Sequence, residues 1–177
     1  MEPAPEPNVD VKSLAAGDPA AYAALYARLA RPLLRVAAAM LGDASEAEDA
    51  VHDVFVALAR GRERLRYVED LHAYVFASLR NAIAARIERR RIERRHWERL
   101  ASIPASASCS PDSGDEVELA AALGALPAEQ REIVVMKIDG GLTFAQIAQV
   151  LEISPNTAAS RYRYALEKLR KFLEDRT

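Results

Sequence analysis

Polar and basic side chains that could bind DNA recur at helical spacing in residues 154 to 171 of this 177-residue chain. Asparagine and serine can hydrogen-bond to base edges, and arginine can bind phosphates or guanine. At about 100° per residue they form an outer row opposite an apolar seam, which suits a helix lying in the major groove. The candidate DNA contacts are Asn156, Thr157, Ser160, Arg161, Arg163, Tyr164 and Lys168.

Capping signals predict that this helix is the second of a pair. Thr143 and Gln146 have the spacing of a capping box, and Ser154 followed by Pro155 starts another helix after a three-residue turn. This layout indicates a helix-turn-helix. An ordinary amphipathic surface helix would also have a polar outer side, so that alternative stays open here. The predicted inner seam of the second helix is Ala158, Tyr162, Ala165, Leu166, Leu169 and Leu173.

A second group of chemically capable side chains lies on a predicted helix that opens with a capping box of Ser45 and Glu48 and closes at Gly61. Its buried stripe is predicted to be Ala50, Val51, Val54, Phe55 and Leu58, and its exposed side Glu46, Glu48, Asp49, His52 and Asp53. His52 beside carboxylates would allow a metal or acid/base site. Because no second histidine is near, a solvated acidic face or a docking surface for a basic partner is the better interpretation.

Composition favours an all-α protein in the cytoplasm. Hydrophobic residues make up 50% of the chain, and there are only seven glycines. No apolar run reaches membrane-spanning length, and the N-terminal MEPAPEPN lacks the basic start and apolar core of a signal peptide. The single Cys109 cannot form an internal disulfide. We therefore expect no membrane insertion, cofactor, metal or small-molecule substrate.

The distribution of charge favours nucleic-acid binding more than the net charge of -2 does. Residues 86 to 99 hold seven arginines against three glutamates, and residues 154 to 171 hold five bases against one acid. Residues 1 to 61, in contrast, carry nine acids against five bases. Two basic helical segments in an otherwise acidic chain indicate two places of DNA contact.

The chain divides into two predicted helical blocks. Residues 1 to 9 are rich in proline and glutamate and are expected to be disordered, and residues 101 to 115 read as a flexible linker. The first block, residues 10 to 100, contains a long helix from Leu71, with its inner side at Leu71, Val75, Leu79, Ala82, Ile83 and Ile87. The second block, residues 116 to 177, contains the helix-turn-helix.

Three segments together resemble the bacterial RNA polymerase sigma factors of the extracytoplasmic-function (ECF) group. EAEDAVHDVFVAL resembles the acidic helix of their second region, and LRNAIAARIERRR resembles the helix that follows it. LPAEQREIVVMKIDGGLTFAQIAQVLEISPNTAASRYRYALEKLR resembles their fourth region. The resemblance covers residues 10 to 173 and implies two small all-α domains. It also implies a non-enzymatic subunit that binds core RNA polymerase and directs promoter-specific initiation through -10 and -35 contacts.

The resemblance assigns a role to each segment. The helix-turn-helix would read the -35 element, and residues 61 to 70 would contact an extruded base of the -10 element. An anti-sigma protein is a further implied partner. Core-polymerase contacts would be Glu48, Asp49, His52, Asp53 and Phe55, the last for packing. Contacts to the melted -10 strand would be Asn81, Arg86, Arg89 and Arg90, with stacking candidates Tyr67, Tyr74, Phe76 and Trp97, most of which could instead be buried.

Several positions depart from the usual pattern of the group, among them a frequent tryptophan of the long helix that is Tyr74 or Phe76 here. His52 replaces a glutamine, Gln146 replaces a frequent glutamate, and Ala159 replaces a lysine of the recognition helix. Losing that lysine predicts weaker and less salt-sensitive DNA binding. Two other functions remain as alternatives: a one-component helix-turn-helix regulator that acts without polymerase, and a helical enzyme with a metal site at His52.

Overall fold

The computed structural model describes the backbone of residues 10 to 100 and 114 to 174, and the side chains of residues 10 to 97 and 119 to 174. In these ranges the fold is all-α, as predicted, with no strand. The expected disordered N-terminus and most of the expected linker lie outside the described residues. The helices are α1 Val11–Ala16, α2 Pro19–Leu41, α3 Ala44–Arg60, α4 Arg62–Leu65, α5 Leu71–Leu100, α6 Gly114–Ala125, α7 Ala128–Ile138, α8 Phe144–Leu151 and α9 Pro155–Glu174.

Aspartate caps start α1, α2, α3 and α5 of the N-terminal block. Asp18 accepts a hydrogen bond from the Ala20 amide before α2. At α3 the predicted capping box of Ser45 and Glu48 is wrong, because Asp43 is the cap and its Oδ1 accepts from the Glu46 amide at 2.9 Å. Gly42, with φ of 67°, ends α2 in the left-handed region. The next residue, Asp43, is extended and becomes the N-cap of α3.

Two boundaries differ from the sequence predictions. The charged connection between α3 and α5 contains the short helix α4, whose Leu65 is fully buried. Leu65, with the partly buried Val68, packs the connection against the core. The helix α6 begins at Gly114, two residues earlier than expected, a shift common at helix ends.

Helices α2, α3 and α5 form the N-terminal bundle, with α1 and α4 packed at one end. The buried stripe of α3 is as predicted except that Phe55 is half-buried. The inner side of α5 is also confirmed except at Ile87, whose side chain is 44% exposed. The buried residues of α3 lie on one side of the helix, and Glu48, Asp49 and Asp53 are exposed on the other.

Helices α6 to α9 form the C-terminal unit, in which α9 contacts α6, α7 and α8. Ala158, Ala165 and Leu169 of α9 are buried as predicted. Leu166 and Leu173 are partly exposed, at 38% and 39%, so the seam is narrower than the sequence suggested. One cluster of buried side chains runs from the N-terminal bundle into α7 and α8, so the two blocks share a continuous core.

Candidate nucleic-acid interface and acidic helix

The helix-turn-helix has the predicted capping geometry. Thr143 Oγ1 accepts from the Gln146 amide at 3.2 Å, while Gln146 Oε1 accepts from the Thr143 amide at 2.9 Å. Ser154 Oγ accepts from the Thr157 amide at 3.0 Å and caps α9. Between the helices Glu152 adopts the left-handed conformation with φ of 55°, which makes the tight turn. The capping box and the second N-cap are both confirmed.

The outer side of α9 is open to solvent. Asn156, Arg163, Tyr164 and Lys168 are exposed, and Thr157 is partly exposed. A helix that presents these groups from its first turn onward matches the way a recognition helix contacts base edges. All seven predicted residues of this set lie on one helix, and four of them are exposed to solvent.

Three of the predicted -35 residues already have side-chain partners in the protein. Thr157 Oγ1 lies 2.8 Å from Ser154 Oγ. Ser160 Oγ donates to the Thr157 carbonyl at 3.1 Å. Arg161 Nη1 lies 3.0 Å from Glu129 Oε2, on α7. A serine hydroxyl can exchange such a bond for a base edge, but Arg161 must first release Glu129. Sequence patterning missed Glu129, because it lies on a helix with no obvious link to α9.

The acidic face of α3 is exposed as predicted except at Glu46, which is half-buried and paired with Arg90. Glu48, Asp49, His52 and Asp53 all point outward. Phe55 is half-buried, and its ring lies 4.9 Å from that of Tyr26 in a tilted arrangement, centroid to centroid. Phe55 therefore anchors α3 on α2, in agreement with the packing role suggested for it, and it still reaches the surface.

The predicted DNA contacts on the basic helix α5 fall into two groups: residues that are exposed, and arginines that form ion pairs with α3. Asn81 and Arg89 are exposed. Arg86 Nη2 lies 2.6 Å from Asp53 Oδ2, and only 14% of its side chain is exposed. Arg90 bonds Glu46 Oε1 at 2.7 Å and donates to the Leu41 carbonyl at 2.9 Å. Two of the four predicted residues are thus tied to α3 and to the end of α2.

The aromatic candidates for base stacking also fall into two groups, one packed in the protein and one exposed. Phe76 is fully buried and Tyr74 is half-buried, so packing explains both. Tyr67, just after α4, is 81% exposed, and Trp97 near the end of α5 is 66% exposed. An aromatic ring left in water beside a basic helix is suited to stack on an unpaired base.

The described residues contain no group of three or more histidine, cysteine, aspartate or glutamate side chains placed to hold a metal ion. Within the same residues, no helix combines the length and apolar character needed to span a membrane.

Family models match both halves of the chain. A model described as Sigma-70 region 2 matches residues 25 to 92, and one described as Sigma-70, region 4 matches residues 116 to 169. The chain is also 32% identical over 176 residues to the ECF RNA polymerase sigma factor SigL of Mycobacterium tuberculosis, covering 93% of this chain and 96% of SigL. The chain belongs to the ECF sigma factors. It is 28% identical over 158 residues to SigM of the same organism, covering 89% of this chain and 80% of SigM.

Solved structures agree with this membership. The ECF sigma factor resembles CnrH, solved in complex with the cytosolic domain of CnrY, with a TM-score of 0.68 and 22% identity over 94% of this chain and 96% of CnrH. That likeness concerns the fold. The sigma factor RpoE of Bartonella quintana, solved with the anti-sigma factor NepR, gives a TM-score of 0.65 and 25% identity over 85% of this chain and 96% of RpoE.

Membership defines what the chain does. The ECF sigma factor is a non-enzymatic subunit that binds core RNA polymerase and promoter DNA and directs promoter-specific transcription initiation. Its two domains are those of Sigma-70 regions 2 and 4. Patterning missed the partners of its charged groups, above all Arg80 with Glu132 across the two domains. Arg80 is the only charge between residues 73 and 85, a signal that could have indicated a partner elsewhere in the fold, whereas Glu132 follows Glu129 and Arg131 and carries no such signal.

Proposed function

We propose that this sigma factor divides initiation among three surfaces. The exposed side of α3 binds core polymerase, the exposed side of α5 with the preceding segment 61 to 70 captures the -10 strand, and the outer side of α9 reads the -35 duplex. Residues 10 to 100 would then carry the first two tasks and residues 116 to 177 the third. One observation carries the proposal: α9 packs its inner side against α6, α7 and α8 and leaves its outer side exposed to solvent.

The geometry refines the roles of individual residues. Asn156, Arg163, Tyr164 and Lys168 are the -35 contacts available at once, with Thr157, Ser160 and Arg161 joining on binding. On α5, Asn81 and Arg89 would contact the strand, with Tyr67 as a stacking platform. Arg86 and Arg90 would position α5 and complete the basic track. On α3 the contacts would be Glu48, Asp49, His52 and Asp53, with Phe55 packing behind them.

Two further expectations belong to the same proposal. The sigma factor acts in the cytoplasm, where polymerase and promoters are. An anti-sigma protein holds it inactive, and support comes from the RpoE structure solved with the anti-sigma factor NepR.

Run-off transcription with core polymerase tests the whole proposal. We expect promoter-specific transcripts only when the protein is present, and co-purification of the protein with core enzyme. Operator-like duplex binding with neither result would instead establish the one-component regulator.

Asp49→Lys tests the polymerase surface. Asp49 is exposed and has no ion-pair partner among the described residues, so reversing its charge should abolish core binding and leave the melting temperature unchanged. Glu167→Lys is the matched control, because it makes the same charge change at an exposed position of α9. Equal core binding by the Asp49→Lys variant and the wild type would remove α3 from the proposal.

Asn156→Ala tests the -35 surface. Removing a bidentate amide should cost about 1–3 kcal/mol at one base position and leave core binding intact. A panel of promoters with single changes in the -35 element measures this, and an unchanged preference at every position would show that Asn156 reads no base.

A further inference from the structure

The short helix α1 packs against α4, which lies at the start of the segment proposed to contact the -10 element. Each of these helices buries one leucine completely, Leu14 in α1 and Leu65 in α4. Both leucines belong to the same hydrophobic cluster. Helix α1 ends before residue 25, where the match to the Sigma-70 region 2 model begins. An element outside that match therefore supports α4.

Gly17 gives α1 a second contact with α4. Its φ of 83° ends α1 in the left-handed region, and a Cβ at this position would lie 3.3 Å from both Cδ and Nε of Arg62. The stem of Arg62 therefore lies across Gly17. Burial raises the pKa of Tyr22, and Arg62 acts in the opposite direction because its charge lies near that phenol. Tyr22 Oη in turn donates to the Leu58 carbonyl at 3.2 Å, so α2 and the end of α3 complete the contact.

Helix α4 depends on these neighbours for its position. It has only four residues, and its N-cap is Gly61, which has no side chain to cap it. Isolated helices shorter than about 12 residues are marginal in water, so α4 is not stable alone. Its contacts with α1 are more extensive than its contacts with α3. Helix α1 is therefore the main support of α4.

Backbone hydrogen bonds extend the position of α4 into the residues that follow it. The Tyr67 amide donates to the Arg64 carbonyl at 3.1 Å, and the Val68 amide donates to the Leu65 carbonyl at 3.0 Å. The Tyr67 side chain is 81% exposed, so packing of the ring itself does little to orient it. The place of the Tyr67 ring therefore follows the place of α4.

We propose that α1 positions the -10 contact: Leu14 and Gly17 hold α4, and α4 holds the ring of Tyr67 where an extruded base can stack on it. The inference rests on the proposed contact of residues 61 to 70 with the -10 element. Leu14 and Gly17 are positioning residues that act through α4. A platform that is already in place loses less conformational freedom when the base binds, so the stacking contributes more to affinity.

Gly17→Asn tests the proposal, with Gly42→Asn as the matched control. Asparagine tolerates the left-handed conformation better than most residues with a side chain, so both variants can keep their backbone. At position 17 the new side chain takes the space of the Arg62 stem. At position 42, which also has a positive φ of 67°, a Cβ would meet nothing within 4 Å. The control therefore makes the same substitution without disturbing α4.

The measurement is binding of -10 non-template oligonucleotides to the complex of each variant with core enzyme, by fluorescence anisotropy. One oligonucleotide is intact, and the others each carry one abasic site at successive positions of the element. For the wild type, the abasic site at the extruded base should weaken binding by about fivefold or more, because one stacked base is lost. Gly42→Asn should show the same loss. Gly17→Asn should reduce it to about twofold or less, because its Tyr67 ring is no longer held for stacking.

Two further variants separate positioning from a general loss of structure. Tyr67→Ala should also reduce the abasic loss, and adding Gly17→Asn to it should reduce the loss no further, since both act on the same ring. Leu14→Ala removes the apolar contact with Leu65 and should act like Gly17→Asn. A defect of the whole bundle would instead weaken binding to intact and abasic strands equally, and that result would overturn the proposal.

The same titrations distinguish this inference from the proposed function. If the wild type loses no affinity at any abasic position, the proposed contact of residues 61 to 70 with a base fails, whatever the variants do. If the wild type shows the loss and both Gly17→Asn and Leu14→Ala keep it in full, the contact stands and the positioning role of α1 is wrong.

Discussion

The two basic helices of this sigma factor use their arginines differently. On α5, Arg86 and Arg90 bond to carboxylates of α3, and 14% and 34% of their side chains remain exposed. On α9, Arg163 is exposed, and Arg161 bonds a Glu129 side chain that is itself 71% exposed. Equal charge in the sequence therefore does not mean equal charge available to DNA.

The difference follows from what each helix packs against. Helix α5 lies beside the acidic helix α3, so its arginines meet carboxylates before they can meet phosphates. Those ion pairs join the proposed polymerase-binding helix to the proposed strand-binding helix. Helix α9 packs mainly through small and aliphatic side chains, which leaves most of its charge on the opposite side.

Arg90→Ala should give the largest effect, a loss of about 1–3 kcal/mol in the free energy of unfolding. It removes the donor to the Leu41 carbonyl and leaves Glu46 without its counter-charge. Glu46 Oε2 is already buried with no hydrogen-bond partner in the described structure, which makes this loss hard to compensate. Thermal unfolding should shift by several degrees.

Arg89→Ala is the matched comparison on the neighbouring position. Arg89 is exposed and forms no ion pair with the described residues, so stability should change by less than about 0.5 kcal/mol. Binding of -10 single strands by the complex with core enzyme should weaken instead. Equal thermal shifts for the two variants would contradict the division of α5 into engaged and free arginines.

Arg163→Ala should have a moderate effect, confined to DNA. Loss of one phosphate contact lowers the slope of log K against log salt by about 1 for a -35 duplex. Arg161→Ala should lower it less, because Arg161 gives up Glu129 in order to bind. Titrations by fluorescence anisotropy at several salt concentrations measure both slopes. A larger change for Arg161→Ala would show that its ion pair does not limit DNA contact.

Helix placement could be predicted from the sequence because its signals are local. The capping box of Thr143 and Gln146 and the long helix from Leu71 both depend on residues within a few positions. The error at Ser45 is instructive. Asp43, directly after a left-handed glycine, takes the cap because the backbone there is already extended, and this conformation is not encoded in the spacing of Ser45 and Glu48.

The partners of charged side chains could not be predicted, because they depend on tertiary distance. Glu132 illustrates the point: burial raises its pKa above the ordinary value even though Arg80 beside it acts in the opposite direction. Nothing within a few positions of Glu132 indicates that a residue 52 positions away supplies its counter-ion. The same holds for Arg86 with Asp53, so the sequence indicated the helix on which each charged residue lies but not the ion pairs that some of these residues form.

Ala159→Lys should produce the smallest effect and would sharpen the contrast between α5 and α9. Position 159 is half-buried on α9, four residues before Arg163, where the family usually has lysine. A lysine here adds a possible phosphate contact, but repulsion from Arg163 one turn away offsets part of the gain. The salt slope for a -35 duplex should therefore rise by less than about 1, with stability changed by less than about 0.5 kcal/mol. Ala27→Lys, an exposed position on α2, makes the same substitution far from α9 and should leave the slope unchanged. If both lysines raise the slope equally, the gain reflects overall charge, and the outer side of α9 has no privileged role in phosphate binding.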